Sequence, residues 1–310
     1  MDKHYKRTIF SWSMYDFANQ PFTTLVVTFI YSTYFVQAIA LDQISGTVLW
    51  SRGIMVTALF VAFFSPLMGA IADQGGYRKT FLIFWTWICI IGSVMSFFAL
   101  PGEIYKALIW FVIANIGFEM GGVFCNAYLP SIAPKEKIGR ISGYGWSFGY
   151  VGGLISLVLV LFLFVNPEVP AFGFSKVDGE NIRAANLLVA LWFAIFSIPT
   201  FIWLKDRKIE QKLSKELVQS SYARLRTTFR EIRKYRQISR FLLARILYND
   251  GLITIFSFGG IYAAGTFGFT FNEIMIFGIV LNVTGPKSRK ATCGSIREKG
   301  RSMAVKWLLY

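Results

Sequence analysis

Long apolar runs separated by short polar gaps recur along this chain, and they restrict the folds it can adopt. A helix needs about 20 apolar residues to cross a bilayer, and seven runs reach that length. They predict seven spanning helices, which we place near residues 17–40, 50–72, 80–100, 105–128, 142–165, 184–204 and 239–266. An eighth run, "NEIMIFGIVLNVT" from Asn272, is too short to span.

The composition also indicates an integral membrane protein. Of the 310 residues, 55% are hydrophobic and 16% are charged, whereas a soluble protein carries about a quarter charged residues. The net charge of +15 does not indicate nucleic acid, because the basic residues lie between the apolar runs and no nucleic-acid motif accompanies them.

Residues suited to catalysis or metal binding are scarce in the sequence. His4 is the only histidine, and Cys89, Cys125 and Cys293 have neither a metal-ligand spacing nor a pairing pattern. We find no nucleophile–base arrangement either. The sequence therefore predicts a protein that is not an enzyme and that needs no metal or other cofactor.

The charges of the loops predict the orientation. The N-terminus, the 73–79 and 134–140 loops and the 205–240 segment are basic, whereas the alternate loops are not. Basic loops favour the cytoplasmic face, so we expect a cytoplasmic N-terminus in the plasma (inner) membrane. Six helices, a basic linker and a further helix predict an N-terminal six-helix bundle and the start of a second bundle. The expected boundaries are 1–204 for the first bundle, 205–238 for the linker and 239–284 for the second.

The linker is rich in charge and in good helix formers. We expect an amphipathic helix that lies on the inner leaflet. A specific site for anionic lipid is the alternative.

The stretch "GAIADQGGYRKTF", from Gly69, resembles the loop motif of the major facilitator superfamily. Four positions match the motif, and Gln74 and Tyr77 replace two usual basic residues; the matching positions are Gly69, Asp73, Gly76 and Arg78. In that superfamily the loop braces two bundles in the outward-open state. The alternative is an ordinary positively charged turn.

Polar residues share helix faces in three of the apolar runs. In "SWSMYDFANQPFTTL" the spacing groups Asp16, Asn19, Gln20 and Thr23 on one face, and Pro21 can kink the helix and free backbone carbonyls. In the fourth run, a second face holds Asn115, Glu119 and Asn126. In "LLARILYNDGLITIF" a third holds Arg245, Asn249 and Asp250.

Each face has a structural alternative. Asp16 is also suited to a helix N-cap, Arg245 to an ion pair with Asp250, and the glycines at 145, 149 and 153 to helix packing. Glu119 is the hardest to explain as purely structural. It lies about 13 Å from the end of its helix, near the midplane, where an acid is costly and usually functional.

Three blocks, "YDFANQPF", "NAYLPSIAPKEKIGRISGYGWSFGYVGG" and "YNDGLITIF", resemble signatures of the UMF1-type family, which is related to the fungal vacuole effluxer Atg22. The resemblance covers about residues 10–284 and implies an all-α, twelve-helix major facilitator-type transporter. In that superfamily helices one, four, seven and ten line the central cavity. The three polar faces fall on helices one, four and seven.

The predicted function is secondary transport of small polar solutes by alternating access, and the family resemblance implies amino acid efflux. Glu119 is expected to be a protonatable coupling group or the partner of a cationic substrate atom. The other site residues are expected to donate and accept hydrogen bonds, with Arg245 as counter-ion or gate. The expected partners are a solute, a coupling proton and membrane lipids. The alternative is a non-transporting scaffold or receptor-like half-bundle whose basic linker binds lipid or a partner.

The final residues, 285–310, depart from the pattern. They carry seven Lys or Arg against one acid, Glu298, and so contribute +6 to the net charge of +15. Charged residues at membrane depth cost several kcal/mol, so we expect a change of reading frame near 283–285 and a C-terminally truncated copy. Resequencing the coding DNA would test this expectation, since an alternative frame without further apolar helices would contradict it.

Overall fold

The computed structural model describes residues 3–206, 215–232 and 236–281, and every regular element in these ranges is helical. The linker residues 207–214 and 233–235, together with residues 282–310, lie outside the described residues. The frameshift hypothesis for the 285–310 tail therefore stays a prediction.

Seven of the described helices are long and apolar enough to cross a membrane, and the apolar runs predicted all seven. Two shorter helices complete the described part of the chain. In order they are α1 (Tyr5–Ile39), α2 (Gln43–Gly75), α3 (Arg78–Phe97), α4 (Ile104–Ile132), α5 (Lys135–Val165), α6 (Val177–Trp203), α7 (Lys215–Ile232), α8 (Arg236–Phe267) and α9 (Phe271–Leu281). The spanning helices α1, α2, α5 and α6 begin seven or more residues before the predicted starts, because their polar ends continue the helix beyond the apolar run.

The two ends of the bundle are named here by α1. The near side is the end at which α1 begins, and the far side is the opposite end. The linker helix α7 packs against the part of α2 that faces the near side, and Ser220 donates a hydrogen bond to Gln74 Oε1 over 3.0 Å.

Specific residues set the ends of α2. On the far side Asp42 caps the helix: its Oδ1 accepts hydrogen bonds from the backbone N–H groups of Ile44 and Ser45 at 3.0 and 2.9 Å. Hydrogen bonds from the Ser45 side chain and backbone hold the pKa of Asp42 below its usual value. On the near side Gly76 ends α2 with φ of +72°, a left-handed conformation that glycine adopts without strain.

Pro21 changes the winding of α1, as the sequence suggested. The α-helix ends at Pro21, and the wider π-type winding follows over Phe22–Phe29. Proline has no N–H group, so the carbonyl four residues earlier, on Phe17, loses its helical partner. The indole N–H of Trp192 in α6 donates to that carbonyl over 3.0 Å, which fixes α6 against the bend.

Small residues let neighbouring helices approach closely. A Cβ on Gly117 of α4 would lie 2.7 Å from the carbonyl oxygen of Trp85 in α3, and one on Gly92 would lie 2.8 Å from Ala114 Cβ. In α5, a Cβ on Gly152 would overlap the carbonyl oxygen of Phe17. Helix α1 is consequently the most buried of the spanning helices, whereas α2 and α8 are mostly exposed.

The close contact between α3 and α4 gives a testable prediction. Gly117→Ala should lower the stability of the bundle by about 1–3 kcal/mol, because the added methyl group must displace the α3 backbone. Thermal unfolding of the purified chain in detergent, followed by circular dichroism, measures the change.

The matched control is Gly122→Ala in the same helix, since no atom lies within 4 Å of a Cβ built there. This control should leave the unfolding temperature unchanged or slightly raised, because alanine favours the helix by about 1 kcal/mol relative to glycine. Equal unfolding temperatures for the two variants would contradict the packing described here.

Candidate functional site

One face of α1 packs against α4 at the middle of the bundle. The hydroxyl of Tyr15 covers Gly121 and lies 2.9 Å from Thr86 Oγ1 of α3. Further along α1, the ring of Phe22 stacks on Phe118, with centroids 5.2 Å apart. These contacts define which residues of α1 point towards α4.

A second face of α1 packs against α5. A Cβ on Gly145 would overlap the carboxylate of Asp16, and one on Gly149 would lie 3.3 Å from Gln20 Oε1. Asp16 therefore lies in a helix–helix contact well inside α1, which excludes the helix N-cap alternative. Gly145 and Gly149 are packing contacts, as the spacing suggested, and the structure adds Gly152.

Asn19 lies on the α4 face of α1, between Tyr15 one turn before it and Phe22 one turn after it. Asn19 is 7% exposed to solvent, and Asn115 of α4 is 5% exposed. Within the described part of the chain neither amide has a hydrogen-bond partner, yet neither is among the polar atoms sealed from solvent. Both amides therefore keep some accessible surface at or near the α1–α4 contact.

An open space lies next to Glu119. Its side chain and that of Asn126 are exposed, and nothing lies within 4 Å of a Cβ on Gly122. Helical periodicity puts Glu119 about one turn from Asn115 on the same face of α4. We call the group Asn19, Asn115, Glu119 and Gly122 the polar wedge. The polar wedge lies beside the contact between α1 and α4.

Helix α8 carries the third polar set. Close to the far side, Gly260 packs against the backbone of Thr28 in α1. Both helices run from the near to the far side, so counting ten residues back, about 15 Å, puts Asp250 level with Ala18, between Asp16 and Asn19. Asn249 and Asp250 therefore lie level with the polar residues of α1, and Arg245 lies about 7.5 Å closer to the near side.

The structure does not bring the α8 set into contact with the polar wedge. Arg245, Asn249 and Asp250 are all exposed. Among the described residues, no ion pair within 4 Å joins Arg245 to Asp250, nor any base to Asp16 or Glu119. The alternative in which Arg245 simply pairs with Asp250 is not observed.

The loop motif forms a compact turn on the near side. The Nε of Arg78 donates to Asp73 Oδ1 over 2.6 Å, and Gly76 supplies the left-handed residue between them. Gly69 has open space around it. Because Asp73 is half exposed, this ion pair alone adds little stability.

Asp206 completes this near-side cluster, and no sequence pattern marks it as a functional residue. It follows α6, and its carboxylate accepts hydrogen bonds from the backbone N–H of Lys79 over 2.8 Å and from the hydroxyl of Tyr128. One acid thus joins the ends of α3, α4 and α6. Its place in a charged segment, "LKDRK", made it look like an ordinary linker residue.

Arg183 is a second residue whose role sequence reasoning missed. It lies within α6 and is 5% exposed. Its Nη1 donates to the carbonyl of Phe97 over 2.7 Å, and its guanidinium lies 5.5 Å from the centre of that ring. It therefore fixes the far ends of α3 and α6 together. In the described ranges no group of three potential metal ligands occurs.

The family model described as "Vacuole effluxer Atg22 like" matches residues 43–289. The uncharacterized MFS-type transporter YxiO of Bacillus subtilis is 27% identical, over 85% of this chain and 62% of that protein. Autophagy-related protein 22 of Yarrowia lipolytica is 22% identical, over 73% of this chain and 50% of its own length. The chain thus spans between half and about three fifths of the length of these relatives.

A solved structure shows the fold. The xylose transporter XylE from E. coli, in a partially occluded inward-open conformation, covers 96% of this chain with a TM-score of 0.61 and 14% identity. The alignment spans 72% of that transporter. The predicted all-α, major facilitator-type architecture and the predicted family resemblance are both confirmed.

The near-side cluster gives the next prediction. Asp206→Ala should destabilise the chain by about 1–3 kcal/mol, because two donors lose a charged acceptor. Thermal unfolding in detergent measures this loss. Glu136→Ala is the matched control, since this exposed near-side acid has no partner in the described part of the chain. A loss of stability that is the same in both variants would argue against Asp206 as the link.

Proposed function

The chain belongs to the family of Atg22-like vacuole effluxers, and from this membership we propose that it carries small polar solutes across a membrane by alternating access. One observation carries the proposal. Polar and acidic side chains of α1 and α4 lie at one depth inside otherwise apolar helices, beside a space that the helices leave open. Residues of this kind within a membrane usually mark a solute or ion pathway.

The proposed mechanism needs two bundles. Residues 1–204 would form the first bundle, 205–238 the linker and 239–284 the start of the second, with the solute bound at the midplane between them. Rocking of one bundle against the other would then expose the site to each side in turn. The likeness to XylE supports this architecture, since α8 lies against α1 where a second bundle would begin.

The roles proposed for the side chains follow from their placement. Glu119, exposed beside the open space, would bind a coupling proton or a cationic group of the solute. Arg245 of α8, about 7.5 Å closer to the near side than Asp250, would be a counter-ion or gate. Hydrogen bonds to the solute would come from Asp16, Asn19, Asn126, Asn249 and Asp250.

Direction, membrane and substrate are further parts of the proposal. The basic near-side loops support a cytoplasmic near side, in the plasma (inner) membrane of a cell. The family description supports efflux, and the resemblance stated above supports amino acids as the exported solutes. The turn at Asp73 and Arg78 would brace the two bundles in one of the two states.

Two-sided access to the polar wedge tests the proposal without knowledge of the substrate. In a variant in which the native cysteines are replaced by serine, Gly122→Cys should react with a membrane-impermeant maleimide in both right-side-out and inverted vesicles. The open space at Gly122 admits the reagent, and alternating access presents that space to both sides. Mass spectrometry of the intact chain measures the labelled fraction.

Ile91→Cys is the control for lipid exposure, because Ile91 is an exposed apolar residue near the middle of α3. It should remain unlabelled from both sides. Labelling of Gly122→Cys from one side only would contradict alternating access and would favour the non-transporting half-bundle.

A further inference from the structure

We infer that a groove between α2 and α4, on the far side of the bundle, binds a negatively charged glycerophospholipid, with the lipid phosphate at Arg52 and part of one acyl chain along the groove. The groove has a volume of about 280 Å³. Besides Arg52 its lining is apolar and consists of Gly53, Val56, Leu108, Ile109, Val112 and Ile113. It shares no residue with the polar wedge, and the inference does not depend on the proposed transport.

Arg52 lies where the bilayer core ends. From Gly53 to Ala72 the helix α2 carries no charged residue, and Asp73 follows. A helical segment of these 20 residues is about 30 Å long, which is the thickness of the hydrocarbon core. Because α2 begins on the far side at Gln43, Arg52 lies at the far-side boundary of the core, at the level of the phosphate and glycerol groups of that leaflet.

The guanidinium of Arg52 is available to a ligand at this level. Arg52 is exposed, and no carboxylate of the described residues lies within 4 Å of it. A cation that faces lipid costs free energy unless an anion or water meets it. A guanidinium presents planar N–H donors that match two phosphate oxygens at once. The phosphate of a lipid therefore supplies the missing anion.

The groove leads from Arg52 towards the midplane. At its far-side end Gly53 brings α2 and α4 together, since a Cβ there would lie 2.9 Å from Leu108 Cδ1. Both helices run from the far to the near side, and the α4 lining continues for about 7.5 Å from Leu108 to Ile113. The acyl chains of a far-leaflet lipid with its phosphate at Arg52 run in this direction. An apolar helix face alone would accept any lipid, and the cation at the headgroup end makes this groove specific.

The surrounding charges favour an anionic headgroup over a zwitterionic one. The ammonium group of a zwitterionic headgroup would need an acid, and the groove lining contains none. Glu103, at the far-side start of α4, already accepts hydrogen bonds from Lys106 Nζ over 2.8 Å and from the backbone N–H of Leu100 over 2.9 Å. A headgroup without an ammonium group, such as that of phosphatidylglycerol, leaves the attraction between its phosphate and Arg52 unopposed.

Native mass spectrometry of the full chain, released from detergent, tests the inference. Phosphatidylglycerol, phosphatidylethanolamine and phosphatidylcholine with the same acyl chains are titrated in turn, and bound lipid is counted from the mass of the intact complex. Phosphatidylglycerol should bind more tightly than the other two. Arg52→Gln should weaken its binding about tenfold, because a charge-assisted contact is lost. The matched control is Lys176→Gln, the same loss of charge at an exposed far-side loop position, and it should bind as the unchanged chain does.

A second pair of variants tests the shape of the groove. Ile109→Trp places a larger side chain in the groove and keeps Arg52, so it should weaken phosphatidylglycerol binding by a similar factor. Its control is Ile91→Trp, since Ile91 is a similarly exposed apolar residue of α3 outside the groove, and this control should bind normally. Glycerol 3-phosphate, which has the phosphate without acyl chains, should not displace the lipid.

Several results would overturn the inference. They are equal binding of the three lipids, binding that is unaffected by Arg52→Gln or by Ile109→Trp, and displacement of the lipid by glycerol 3-phosphate, which would identify a free phosphate as the ligand. If Arg52→Gln removed a dimer rather than bound lipid, a second copy of the chain would occupy the groove and the inference would be wrong. None of these measurements depends on transport.

Discussion

Close contact between α1 and its neighbours is the constraint on which the rest of the structure depends. Glycines bring the α5 backbone against Phe17 and Asp16, and Gly121 of α4 receives the Tyr15 hydroxyl. Larger residues at these positions would separate the helices and open the core. Because lipid offers no hydrophobic driving force between helices, close packing and interhelical hydrogen bonds must hold α1 in place. Both kinds of contact meet at Pro21, whose missing N–H lets Trp192 bind the Phe17 carbonyl.

This packing determines which polar residues remain available. Tyr15 and Phe22 fill the α4 contact on either side of Asn19, so Asn19 points to α4 but has no hydrogen-bond partner among the described residues. On α4, Gly122 and the exposed Glu119 mark where the contact with α1 ends. A fully packed interface would have paired these groups or replaced them with apolar ones. Unpaired amides beside an open space are therefore a property of the fold at this depth.

Much of the fold could be predicted from the sequence, because apolar length and helical periodicity depend on local residue order. The spanning helices, the polar face of α1 and the effect of Pro21 follow from such patterns. The roles of Asp206 and Arg183 could not be predicted, since their partners are distant in the sequence. Asp206 accepts hydrogen bonds from a backbone N–H in α3 and from a hydroxyl in α4. Arg183 donates to a backbone carbonyl of α3. Periodicity grouped Asn115 with Glu119, but only the packing of α1, α2 and α3 around α4 reveals that one is buried and the other exposed.

The distribution of charge over the helices has a consequence for the proposed mechanism. The acids lie on α1 and α4, and Arg245, about 7.5 Å closer to the near side than Asp250, lies on α8, which contacts α1 only towards the far side. In a two-bundle arrangement, the charges that could offset one another thus belong to different halves. Movement of the halves would change the distance between them, and with it the attraction of the cavity for a cation. A solute cation would be held most strongly when Arg245 is far from Glu119, and it would be held more weakly as the halves close and Arg245 approaches.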